Sequence, residues 1–133
     1  MTITLLQPSG LVVSPAFSHV AVVPPGATTI YVGGQNGVDE TGSLVSDDVA
    51  AQSVRAVENV ALALNAAGAT LGDIVQWSVL FDERADLQAA YGAIAAKLAR
   101  DGQAPPLVTA ARVAGLGVRG ALVEVSVVAA VER

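Results

Sequence analysis

Ala121-Leu122-Val123-Glu124-Val125-Ser126-Val127-Val128-Ala129-Ala130-Val131 is the most apolar run of the chain, with a single carboxylate set in it. β-Branched valine is stiff at χ1 and packs well on a pleated surface, so this run predicts a central strand. Strand interiors are depleted in glutamate. Glu124 therefore faces solvent, meets a partner or does chemistry, and these alternatives separate the functions open to the protein.

Immediately upstream, Leu107–Val113 predicts another strand, and the two are expected to fold as a hairpin about Leu116. That register sets Val108 opposite Glu124, with Cβ atoms about 4.5–5.5 Å apart. A slip of one residue would send the two side chains to opposite faces.

Further back, Pro105-Pro106 closes a helix expected from about Ala85 to Arg100, with Leu87, Tyr91, Ile94 and Leu98 on one face. Asp73 to Phe81 predicts a strand. An earlier helix is expected to start at Ser46 as N-cap, with Asp47 and Asp48 in its positive first turn. It ends at Ala67, before Gly68. Its apolar stripe is Val49/Ala50, Val54, Val57, Ala61 and Leu64, which leaves Gln52, Arg55 and Glu58 off the stripe. Val20–Val23 and Thr28–Val32 read as two strands joined by the turn Pro24-Pro25-Gly26-Ala27, and Asp39-Glu40-Thr41-Gly42 as a further turn. The order ββαβαββ predicts one α+β domain over 1–133, with two helices on one face of a mixed sheet.

Composition limits what such a domain can do. The 133 residues are 53% hydrophobic and 14% charged, with a mean hydropathy of +0.56. A small monomer needs a surface roughly a quarter or more charged. The apolar surplus, and a sheet face with no helix to cover it, predict a homo-oligomer. No run reaches the ~20 apolar residues of a membrane helix, and the first residues lack the basic start of a signal peptide, so a cytoplasmic protein without a membrane partner is expected. A net charge of −5 with seven basic residues leaves no electrostatic footprint for nucleic acid. The lack of cysteine removes thiol chemistry, and one histidine, His19, cannot build a multi-histidine metal centre.

Gly33-Gly34-Gln35 follows a strand and precedes a loop, so it is not a dinucleotide fingerprint. The glycines either permit close backbone approach or expose N–H groups to a ligand oxygen.

Several segments together carry a resemblance. They are Ser14-Pro15-Ala16-Phe17-Ser18, Ile30-Tyr31-Val32-Gly33-Gly34-Gln35, Gln52, Glu58-Asn59-Val60, Leu64-Asn65-Ala66-Ala67-Gly68-Ala69, Asp73-Ile74-Val75, Pro105-Pro106 and Glu124 through Ala129. In this order the chain resembles the reactive intermediate deaminase family (Rid, YjgF-type, L-PSP endoribonuclease-like) over nearly its whole length. The resemblance implies a chorismate-mutase-like fold assembled as a homotrimer, with a small-molecule cleft between each pair of subunits. It also implies hydrolysis of enamines or imines such as 2-aminoacrylate to 2-ketoacids and ammonia, without a cofactor or metal.

Transferred by position, the family's last-strand glutamate, thought to help position water, is Glu124. Its amino-terminal tyrosine is replaced by Phe17, and the serine of its Ser-Gly-Gln segment by Gly33, with Gly34 and Gln35 kept. Its second-helix asparagine falls at Tyr91. The arginine that binds the substrate carboxylate falls at Val108, in Pro106-Leu107-Val108-Thr109. The resemblance thus marks Phe17, Gly33, Gly34, Gln35, Tyr91, Val108 and Thr109 as ligand-binding candidates and Glu124 as the catalytic one.

Valine cannot make the paired, charge-assisted bonds of an arginine fork. Substrates of the 2-aminoacrylate type are therefore not expected. Arg112 lies about 13 Å along the strand from Val108, and it and Arg119 read as surface charges. His19, Trp77 and Tyr91 have ordinary structural readings: a hydrogen-bonded or exposed imidazole, and packing rings. Two functions remain in view, a divergent enamine/imine hydrolase and a non-catalytic trimer that binds a metabolite or partner. RNA cleavage, ascribed to some relatives, is disfavoured by the negative charge.

Overall fold

Residues 2–98 and 102–133 are described by the computed structural model. The expected helix end at Arg100 lies outside them. The elements are β1 (Thr4–Leu6), β2 (Val20–Val22), β3 (Thr28–Gln35), α1 (Val49–Ala66), β4 (Ile74–Asp82), α2 (Leu87–Leu98), β5 (Leu107–Val113) and β6 (Val123–Val131), with one 3-10 turn at Leu71–Asp73. The result is the expected α+β architecture, two helices against a mixed sheet. Two of its strand pairings differ from expectation.

The first concerns β2. The turn at Pro24-Pro25-Gly26-Ala27 exists, closed by Ala27 N–H donating to the Pro24 carbonyl at 3.3 Å. The strands on either side of it nevertheless belong to different sheets. β2 pairs antiparallel with β1, which the sequence reading missed, setting Leu5 opposite Ala21. β3 pairs instead with β6, Tyr31 opposite Val128 and Val32 opposite Val127.

The second concerns the carboxy-terminal strands. The four-stranded sheet has the order β3-β6-β4-β5, so β4 stands between the two strands expected to form a hairpin. β5 runs parallel to β4, with Val108 beside Trp77, and β6 runs antiparallel to it, with Glu124 beside Leu80. The end of β4 holds them apart: Asp82 N–H donates to the Leu122 carbonyl and Glu83 N–H to the Val113 carbonyl. Asp82 also accepts from the Arg84 N–H at 2.9 Å and Nε at 2.7 Å. The Arg84 side-chain bond, with its backbone bond, holds the Asp82 carboxyl below its ordinary range.

Period-two alternation divides the sheet into two faces. Trp77, Val79 and Phe81 of β4 and Val123, Val125 and Val127 of β6 are buried in one core with Val57, Val60 and Leu64 of α1 and Ala90 and Ile94 of α2. Gln76, Ser78 and Leu80, with Glu124, Ser126 and Val128, alternate with these and are half-buried on the other face. No element covers that face among the described residues, as the count of helices requires.

Helix α1 differs from its expected form in two respects. Its N-cap is Asp48 rather than Ser46: the Asp48 carboxylate accepts from Ala51 N–H at 3.0 Å, while Ser46 Oγ accepts from Asp48 N–H. Its buried stripe is also rotated toward Gln52, which is fully buried. Gln52 Nε2 donates to the Ser46 and Gly120 carbonyls, and its Oε1 accepts from Leu122 N–H at 2.8 Å. Three bonds satisfy the buried amide, so a polar residue occupies a core position. Gly37 meets the same turn of the helix. A Cβ there would lie 2.5 Å from Gln52 Cα, so only glycine lets the loop pass so close. The helix ends as expected, at Gly68 with φ 77°.

Candidate functional site

The sheet separates the candidate residues into two groups. Val108 is set beside Trp77 and shares its face, toward the helices. Glu124 is set beside Leu80, on the face without helices. The expected Val108–Glu124 pair is thus corrected: one strand lies between them and their side chains leave opposite faces. Consecutive strands commonly pair, which is why a hairpin was expected, but here the loop over residues 114–122 arches past the end of β4.

On the helix face, Phe17, Tyr91 and Val108 line one cavity of about 380 Å³. Ala16, Trp77, Ala95 and Ala110 complete its wall. Each candidate arrives from a different element. Val108 comes from the edge strand β5, Tyr91 from α2 and Phe17 from the loop before β2. Gln7 fixes that loop, its Nε2 donating to the Ser14 carbonyl at 3.0 Å and to the Phe17 carbonyl. The Phe17 ring meets His19 edge-on with centroids 5.3 Å apart, and the Tyr91 ring meets Phe81 at 5.2 Å. Trp77, Ala95 and Ala110 were not among the candidates. The available signals were the lone tryptophan of the chain and the two-residue step from Val108 to Ala110.

On the other face, Glu124 is half-buried and makes no hydrogen bond or ion pair with another described residue. Its side chain folds over Gly34. A Cβ on Gly34 would stand 2.7 Å from Glu124 Cδ and Oε2, so this glycine is the seat of the carboxylate. Gly33 and Gly34 lie within β3, at the register shift between Val32 and Gln35, rather than after the strand's end at Val32. Gln35 Nε2 donates back to the Gly33 carbonyl at 3.2 Å. Thr109 stands beside Ser78, which stands beside Ser126, so three hydroxyl residues line up across this face.

Gly34→Ala is expected to push the Glu124 carboxylate off its seat while leaving the fold in place. The atoms in the way are the far end of a flexible side chain, so the stability cost is within about 1 kcal/mol. A crystal structure of the variant should show a new Glu124 rotamer, and a urea titration should show a nearly unchanged midpoint.

The remaining polar candidates follow their structural readings. His19 Nε2 is 2.6 Å from the Val12 carbonyl oxygen. Arg112 Nη1 donates to the Glu83 carbonyl at 2.9 Å, and Arg119 is exposed. Among the described residues, no group of three or more His, Cys, Asp or Glu stands close enough to hold a metal ion, and no helix is long and apolar enough to cross a membrane.

Residues 11–131 match the family model described as endoribonuclease L-PSP. Over 58 residues the chain is 40% identical to a RutC family protein of Pyrococcus abyssi, a match covering 43% of this chain and 46% of that protein, less than half of the relative's length. Among solved structures it is similar to YyfB of Yersinia pestis, described as a protein of unknown function of the conserved Rid family. The TM-score is 0.81 at 25% identity, covering 97% of this chain and 98% of that one. It is also similar to the YjgF gene product of E. coli, with TM-score 0.70, 29% identity and coverage of 84% and 85%.

Proposed function

The chain belongs to the endoribonuclease L-PSP family, which includes Rid and YjgF-type folds, and from that premise we propose that it is a divergent hydrolase of neutral enamines or imines, working in clefts between the subunits of a homotrimer. The observation that carries this reading is the half-buried Glu124 carboxylate, which has no partner among the described residues. A carboxylate in that state is available to a water molecule.

The division between the faces supports an inter-subunit cleft. Within one chain the sheet stands between Glu124 and the cavity beside Val108. The two can enclose one ligand only if different copies supply them. The uncovered sheet face, with Tyr31 78% exposed on it, gives a second copy a surface to pack on.

In the proposed reaction Glu124 takes a proton from water as the water oxygen bonds to the imine carbon. The C=N electron pair moves to nitrogen, which takes that proton back from Glu124, giving a neutral carbinolamine. The hydroxyl proton then passes by way of Glu124 to the same nitrogen, the oxygen electron pair forms the carbonyl, and the C–N bond breaks with its electron pair leaving on nitrogen as ammonia. No oxidant or cofactor is required. Backbone groups of Gly34 or Gln35 are the proposed donors to the developing oxyanion.

The test is substrate discrimination. Ammonia release is expected from uncharged imines and not from 2-aminoacrylate, because Val108 offers a carboxylate no partner. Val108→Arg should raise turnover of 2-aminoacrylate by about 10²-fold or more, the scale of one charge-assisted binding contact. Efficient turnover of 2-aminoacrylate by the native protein would overturn the role given to Val108.

A second reading, a trimer that binds a metabolite or partner without turning it over, is favoured by the same valine in place of a charged binding group. It predicts saturable binding with no ammonia release from any imine. RNA cleavage is the weakest reading, given the net charge of −5.

A further inference from the structure

The cavity beside Val108 narrows the choice of ligand, and the inference rests on that cavity being the binding part of the proposed cleft. We propose that it seats an uncharged ring, so that the ligand is an aromatic or cyclic imine, or the matching ketone, rather than a small amino-acid derivative.

The chain has five aromatic side chains. Three of them, Phe17, Trp77 and Tyr91, line this one cavity, and none of the other described residues that line it is charged. Two of the walls are braced from behind. Tyr91 rests edge-on against Phe81, which is 1% exposed, and Phe17 against His19. Trp77 is held in the sheet at 7% exposure, directly beside Val108. Braced rings present a formed slot, and ring pairs in offset or edge contact attract one another beyond what their buried area accounts for.

The small residues complete the argument. Ala95 on α2 and Ala110 on β5 are both exposed on the single chain, and as alanines they leave the slot open between the rings. The volume of about 380 Å³ is near the lower end for ligand pockets, enough for one ring and a short substituent. Through Ala16, Trp77 and Ala95 it continues into a groove of about 330 Å³ that reaches Gln103, which can hydrogen-bond an uncharged polar tail. A carboxylate in the slot would lose its water and find no cation among the described lining residues, an unfavourable exchange.

Trp77 is the only tryptophan of the chain, so its fluorescence reports directly on occupancy. The full-length protein is titrated with benzamide and with benzoate, two rings of equal size that differ in charge. Benzamide is expected to change the emission saturably and to bind about tenfold or more tighter than benzoate. Ala95→Leu, a sound helix former at an exposed position, keeps the fold and should weaken benzamide by about tenfold as the leucine fills the slot. Equal affinity for both probes, no saturation by benzamide, or an unchanged affinity in Ala95→Leu would each overturn the inference. Imine turnover is measured separately. Loss of turnover with ring binding intact removes the hydrolase reading alone, while turnover of small acyclic imines without ring binding removes this one alone.

Discussion

Gln52→Leu is expected to lower the free energy of unfolding by about 3 kcal/mol, read as a lower urea midpoint with an unchanged slope. Leucine fills a similar volume, so the loss comes from hydrogen bonding rather than from a cavity. The wild-type amide links two segments far apart in sequence, Ser46 before α1 and Gly120 with Leu122 before β6, from a fully buried position on α1. Without it the Leu122 N–H loses its partner, and a half-buried donor left unmade costs about 1–3 kcal/mol. The Ser46 carbonyl loses a bond as well, whereas Gly120 is exposed and water can replace the amide there. The melting temperature should fall by roughly 10 °C for a domain of this size. A change below about 1 kcal/mol would show that water substitutes for the amide at all three points.

That residue also marks the limit of what the sequence discloses. Period and punctuation placed α1, β4, α2 and the last two strands, because each has an apolar pattern and a Gly or Pro a few residues before or after it. A stripe drawn from apolar residues alone left Gln52 outside, since nothing in a linear pattern says that a buried amide has three partners. Strand order failed for a related reason. β5 and β6 are consecutive, and local sequence does not record that β4 is shared between them. One clue was present: residues 114–122 are longer than the usual hairpin loop of about two to five residues. The site divides in the same way. Position by position, the resemblance brought Phe17, Tyr91 and Val108 to one cavity. Trp77 and the two alanines follow from register and packing, which come only with three dimensions.

Glu124→Gln is expected to lower kcat for a neutral imine by about 10²–10⁴-fold, the usual contribution of a positioned general base. Glutamine keeps the length and shape of the side chain over Gly34 and gives up the ability to take a proton. KM should change little, because the cavity on the helix face is untouched. Stability should hold within about 0.5 kcal/mol, since the carboxylate makes no bond to another described residue that the change would break. Turnover that survives the substitution would assign the water-activating role elsewhere. A native protein that binds but never releases ammonia would instead favour the binding reading. Stopped-flow measurement of imine disappearance separates these outcomes, because it follows the chemical step rather than product release.

The sheet order has a consequence for how the chain is made. β6 occupies a central place between β3 and β4, though of the four strands in this sheet it is the last in chain order. While the ribosome is still adding these residues, β3 and β4 have no strand to join them, and each offers an open hydrogen-bonding edge. The core on α1 is then lined from one side only, and Val79 and Phe81 wait for Val123 and Val125. The four-stranded sheet is therefore completed only when the segment through Val131 clears the exit tunnel. Until then the nascent chain presents apolar surface of the kind that chaperones hold.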